Sequence, residues 1–387
     1  MRTPTDKLRL LVGRGLWLLV SLPVWWCVLS LAAQSQPPPP AFAVMREALH
    51  EALQLRFESA IAMATRLEAD QQPTLASHLT RGIIAYLQVR WQMQPSRTAW
   101  DIGHKALQSV IEDGQQQLKT APDTPETRLF IGLAAVFDAL LQQEEDAWGS
   151  LPLFAQGQAM LHEALLAHET MSDAHLGLGL LYFAGADLPS VLRRVWGKLQ
   201  GQSRDEAIKH LERAAQGGHF SRDLARTVLA RIYELEQRYE EAITLGQALH
   251  DIYAANGYYA LLTGRSQCAQ RQYEACATLL ADLATQLTTR EEMLARRSDR
   301  FDLYYHWGLA LYHTERYAEA FQALRQAINL DARAERDETL WAKYHLARLY
   351  EHRGQATTAR QMYHTLLRGR NVDDLHSQVR HRLANLP

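Results

Sequence analysis

One pattern recurs four times in the second half of the chain, and it leaves few folds open. A small residue sits in the middle of an apolar-periodic segment at Ala230, Gly264, Gly308 and Ala347. Twelve residues later a second small residue, Ala242, Cys276, Ala320 or Ala359, belongs to another such segment. Between them an aromatic recurs at Tyr239, Tyr273 and Tyr317, replaced by Ala356 in the last copy. Small residues at matched points on two antiparallel helices are needed where the backbones approach closely, because larger side chains would wedge the pair apart. The offset of twelve is constant while the intervals between copies run 34, 44 and 39 residues, so the helix hairpin is fixed and its connections vary. No stretch shows strand-like alternation of useful length. The fold expected is all-α.

Tyr304, Trp307, Gly308, Tyr312, Tyr317, Ala320, Leu324 and Ala327 follow the order and spacing of the tetratricopeptide repeat, which this part of the chain resembles over about residues 221 to 370. The chain departs from that family at Gln267, where an aromatic is usual, and at Gly246, where a large apolar residue is usual. Most copies also lack the closing proline. The resemblance implies a right-handed superhelical solenoid of antiparallel helix hairpins, with the first helix of each hairpin lining a concave groove. By that mapping Arg231, Arg265 and Arg348 form a row one place after the small residue, with Leu309 in the fourth copy, and Tyr305, Tyr312, Trp341, Tyr344 and His345 share the groove wall. Arginine with aromatics suits an extended or helical peptide bearing acidic or C-terminal carboxylate groups. The competing reading pairs these arginines with groove acids such as Glu234. The carboxylate clamp of chaperone-binding members is absent, since it uses lysine and asparagine where this chain has arginine and leucine.

Upstream, Gly82, Gly132 and Gly179 hold equivalent places in longer segments, so residues 45–171 read as elongated, degenerate hairpins continuous with the array at 221–387. Between them, 172–220 reads as a hairpin with an insertion: Gly179 lies 28 residues from its partner Ala207 rather than twelve. The inserted stretch, Phe183 to Ser203, carries a helix signal from Pro189, with Trp196 on an apolar face and Arg193 and Arg194 elsewhere. It reads as a capping helix on the edge of the solenoid or as a docking element. Around it, Leu178, Tyr182, Leu188, Leu192, Leu211 and Gly217 loosely resemble uncharacterised bacterial repeat proteins and the inclusion-body clearance family of mitochondrial outer-membrane repeat proteins, which implies adaptor work at a membrane.

At the other end, Arg2, Lys7, Arg9 and Arg14 precede an apolar run from Leu16 to Ala33, and a polar exit leads to Pro37–Pro40. This order marks residues 1–36 as an export signal peptide or a retained N-terminal anchor, followed by a Pro-rich linker at 37–44. Cys27 inside the run follows residues too bulky for lipoprotein processing. The body is therefore expected in the periplasm, soluble after cleavage or held at the inner membrane by residues 16–33. The N-terminal 33 residues carry a net +3 of the chain's −2, leaving −5 for the rest, and so no general footprint for nucleic acid.

Chemistry is harder to find. Sixteen histidines form no HExxH or HxxxH pair. His306 and His313, and then His345 and His352, are seven apart, and the rise of roughly 10 Å over two turns is too long for one metal ion. Cys268 and Cys276 flank one hairpin turn and read as a disulfide or as buried thiols. Paired acids such as Glu144 and Glu145, or Glu240 and Glu241, read as solvated faces. No nucleotide-binding or hydrolase motif has a strand to carry it. The sequence thus predicts no metal, no cofactor and no enzyme, but a scaffold in the cell envelope that binds a protein or peptide in its groove. The alternative is a solute- or lipid-binding component with an apolar cavity among the elongated N-terminal hairpins. Oligomeric state is left open.

Overall fold

The structure, a computed structural model, describes residues 39–68, 74–91, 97–143, 145–186 and 204–386. The chain divides into two compact units, Met1–Phe42 and Ala43–Pro387, and all that follows concerns the second. The N-terminal hydrophobic run lies outside the described residues. So does the segment bearing Arg193, Arg194 and Trp196. No described helix is long and apolar enough to cross a membrane.

Seventeen α-helices and one short 3₁₀ turn, with no strand, make up the described residues. Helix α1 (Pro40–Leu53) and α2 (Phe57–Thr65) precede three long hairpins: α3 (Leu75–Trp91) with α4 (Arg97–Thr120), α5 (Pro125–Gln142) with α6 (Ser150–Ala167), and α7 (Ala174–Ala186) with α8 (Arg204–Gly217). Four regular hairpins follow: α9 (Arg222–Leu235) with α10 (Tyr239–Ile252), α11 (Gly257–Ala269) with α12 (Tyr273–Leu287), α13 (Arg297–His313) with α14 (Tyr317–Leu330), and α15 (Asp337–His352) with α16 (Ala356–Arg368). Helix α17 (Leu375–Ala384) ends the array. From α2 onward each helix packs on its chain neighbour, and the odd-numbered helices from α3 to α15 also touch in succession, forming one inner wall. The chain is an all-α helical-repeat solenoid.

Two expected boundaries move. Residues 40–44 are the first turn of α1 rather than linker, which Pro40 tolerates because a first-turn N–H has no helical partner to lose. Phe183 to Ala186 complete α7 rather than begin the insertion.

The recurring small residues do what their spacing requires. A Cβ added to Gly264 would stand 2.5 Å from Leu280 of α12, and one on Gly308 would stand 2.8 Å from Leu324 of α14. In the long hairpins Gly179 meets Leu211 and Gly132 meets Leu161 in the same way, at 2.5 and 2.6 Å. One rule therefore spans both halves. Gly246, which departs from the family pattern, faces the next hairpin instead: its Cβ would lie 2.5 Å from Thr263 Oγ1 of α11, so the missing side chain lets consecutive repeats close up. The hairpin turns share a second rule. Gln237, Arg271, Glu315 and Gly354, each seven residues past the small residue, have φ of 59°, 62°, 60° and 71°. The next amide donates back five residues, as from Arg238 N to Tyr233 O at 2.8 Å, which stops one helix and aims the next.

The long hairpins bend the inner wall back on itself. Leu53 O, at the end of α1, accepts from Asn256 Nδ2 at 3.1 Å, while Gln54 Nε2 donates to Ile252 O at 2.9 Å. The His50 and Tyr253 rings lie 5.0 Å apart. One helix further on, Trp91 of α3 meets Tyr258 and Tyr259 of α11 at 6.2 and 6.4 Å between ring centres. Arg296 Nη1 donates to Arg90 O at 3.1 Å. Residues some two hundred positions apart thus join, and α3, α5, α7, α9 and α11 surround a partly open space.

Candidate binding site on the inner face

This space is a half-open chamber of about 270 Å³. Tyr86, Leu87 and Trp91 reach it from α3, Phe137 and Leu140 from α5, Leu176, Leu180 and Phe183 from α7, Leu224 and Val228 from α9, and Tyr258 from α11. These are residues that an inner helix must present toward its neighbours when it is buried on more than one side. Among the sixteen lining residues the charged ones are Arg90 and Arg231, with no acid. Burial raises the pKa of the Tyr258 phenol, so this hydroxyl stays a hydrogen-bond donor. A concave, mostly apolar space with a few polar groups converging on it is the usual form of a small-molecule site. The alternative expectation placed a cavity among the elongated N-terminal hairpins alone; this chamber is walled by α9 and α11 of the regular repeats as well, a closure that no local spacing encodes.

Beyond the chamber the inner wall carries a ladder of ion pairs. Arg231 pairs with Glu234. Arg265 Nε and Nη2 grip the same carboxylate at 2.7 and 2.8 Å, and its Nη1 reaches Asp302 at 2.9 Å. Arg336 completes Asp302 at 2.6 Å and meets Glu338 at 3.5 Å. Burial opposes the charge on Arg265, yet Glu234 and then Asp302 outweigh it and raise its pKa further above the ordinary arginine range. Two of the three row arginines are therefore bound to groove acids, the competing reading of the sequence.

The third differs. Arg348 has no carboxylate partner among the described residues, and its guanidinium carbon lies 5.3 Å from the centre of the Tyr312 ring. Around it, Tyr312 and His345 rings are 5.0 Å apart, Trp341 and Tyr344 5.6 Å, and Trp341 and His345 6.4 Å. Tyr305, Tyr312 and Tyr344 are buried, whereas Leu309, Trp341 and His345 are partly exposed. The wall residues named from the sequence thus come together in the last two repeats, mostly as packing.

The histidines find aromatic partners. His313 stacks on Tyr273 at 4.2 Å and His352 on Tyr317 at 4.5 Å, each histidine lying on the hairpin-turn tyrosine of the preceding repeat. Burial pushes His306 and His345 down to about 3. Among the described residues no group of three histidine, cysteine or acidic side chains could hold a metal ion. Cys268 and Cys276 are bonded across the α11–α12 turn, with Cα atoms 5.6 Å apart.

Two buried acids had no sequence signal. Asp138 is fully buried and takes His104 Nδ1 at 2.6 Å, Gln108 Nε2 at 2.5 Å and Gln142 Nε2 at 3.1 Å. Trp100 stacks over His104 at 5.0 Å. With its lone pairs occupied, this carboxylate ties α4 to α5 rather than waiting for a substrate proton. Asp173 accepts the amides of His219, Phe220 and Ser221 at 2.9 to 3.1 Å and fixes the entry to α9.

Fold and inner wall together define a helical-repeat solenoid with an apolar chamber on its inner face. No protein-family model matches the chain, and no curated protein is similar to it. Among solved structures it is similar to yeast Tom70, at 12% identity and a TM-score of 0.38 over 88% of this chain and 80% of that one. It is also similar to a human IFIT1 dimer with m7Gppp-AAAA, at 14% identity and 0.35 over 88% and 71%. Likeness at this level carries nothing about ligands.

Proposed function

We propose that this chain is a non-enzymatic binding protein of the bacterial cell envelope whose ligand is a small amphiphile, its apolar chain in the chamber and its acidic end at Arg90 and Arg231. The chamber carries this reading. Its volume falls just under the range of about 300–1,000 Å³ usual for small-molecule sites, which suits a medium-length acyl chain. Burial of that chain supplies the affinity, at about 25 cal/mol per Å² of apolar surface. Arg231 shares the Glu234 carboxylate with Arg265, which leaves it able to meet an anionic end more readily than a neutral one.

Decanoate is the probe. At roughly a hundred times its Kd it should add about 2.7 kcal/mol to folding and raise Tm by several degrees. Decanol should do less and acetate nothing. Val228→Trp, which fills the chamber, should abolish the shift, and Arg231→Gln should weaken it. A Tm unmoved by decanoate, or moved equally in the Val228→Trp protein, would sink the reading.

A second reading, a protein segment held along the last repeats, is favoured by the partly exposed Leu309 and Trp341. Charge reversal at Arg231 and Arg265 is a poor test of it, since breaking the ladder would leave Glu234 and Asp302 without their partners. Trp341→Ala with Leu309→Ala, followed by pull-down from envelope fractions, tests it cleanly; unchanged capture would exclude that surface.

A further inference from the structure

We propose a second site, independent of the chamber, that binds a phosphate-type dianion between α15 and α17. Arg348 of α15 and Arg382 of α17 line one open pocket with Tyr344, Ser377, Gln378 and His381, and no acid lines it. Neither arginine makes an ion pair with a carboxylate among the described residues, whereas Arg231, Arg265 and Arg336 each make at least one. The Nε of Arg348 is buried with no hydrogen-bond partner, an arrangement that costs free energy unless something fills it. Its guanidinium stands near the Tyr312 ring, which limits where it can turn. Tyr344 lines the pocket beside Arg382. Glu351, the acid that acts on Arg382, already accepts from the Tyr363 hydroxyl.

Two guanidinium groups that line one pocket with no carboxylate in its lining repel each other, and an oxyanion between them removes that repulsion. The count favours charge −2 over −1: a carboxylate would satisfy one arginine and leave the other. Tyr344, Ser377 and Gln378 supply neutral donors for the remaining phosphate oxygens. The field is already felt nearby, since Arg348 adds to burial in holding His313 and His345 below the usual histidine range.

Isothermal titration of the full chain with inorganic phosphate at pH 7.5, where it is mostly dianionic, tests this. One phosphate should bind per chain, with acetate at least tenfold weaker. Arg348→Gln with Arg382→Gln should lower phosphate affinity at least tenfold while leaving decanoate binding in the chamber unchanged. Arg382→Gln alone, on the terminal helix, should still fold and show most of the loss. No phosphate binding, equal binding of acetate, or undiminished binding by the folded single variant would overturn the proposal.

Discussion

His313 on Tyr273 and His352 on Tyr317 show how much a single residue can hide. Their spacing of seven was legible, and it correctly placed each pair on one helix face. Their partners were not, because each tyrosine belongs to the previous repeat and meets its histidine only when hairpins stack. The same holds for Arg265. Its place in the row could be read from the repeat, but the two acids that grip it lie 31 and 37 residues away. Histidines largely shielded by their neighbours give a testable pH response. Burial pushes His175 and His210 down to about 4, and His306 and His345 down to about 3, from the usual 6.5. Below pH 6.5 the unfolded chain therefore binds protons that the folded chain refuses, so stability is full above that pH and is lost as pH falls toward 3. Thermal melts should show Tm dropping steeply between pH 7 and 5, and His345→Phe should flatten the slope. A Tm constant over that range would contradict the burial.

Among the elements, the helix hairpin was the most legible unit because one offset fixes it. A constant spacing of twelve demands two helices and a short turn, and the glycine-to-leucine contacts supply the physical reason. The turn residue was less visible. Its left-handed backbone is marked by a glycine only in the last copy, at Gly354, while Gln237, Arg271 and Glu315 hold the same conformation with a side chain. Side chains there cost roughly 1 kcal/mol over glycine. Gln237→Gly, Arg271→Gly and Glu315→Gly should each raise unfolding free energy by about 0.5–1 kcal/mol, read as a higher denaturation midpoint in urea with an unchanged slope. A lower midpoint would show that these turns are held by the side chains instead.

At the scale of the molecule, little could be read in advance. Repeats specify nearest neighbours, so an open solenoid is what a local pattern predicts. Ring closure depends instead on the accumulated bend of the long hairpins, and it brings Leu53 to Asn256 and Trp91 to Tyr258. The chamber is a consequence of that closure, since α3 and α11 are two of its five walls. Without the seam the space would open to solvent, and an apolar ligand would lose most of its buried contact. The most direct test is the distance across the seam, measured by pulsed electron resonance between spin labels on keto amino acids introduced at Arg56 and Ala254, both exposed, leaving the cysteines alone. A closed ring predicts one narrow population at the short end of the measurable range, whereas a broad population at long distance would mean that the end of α1 does not dock at the α10–α11 turn and would contradict the closed seam.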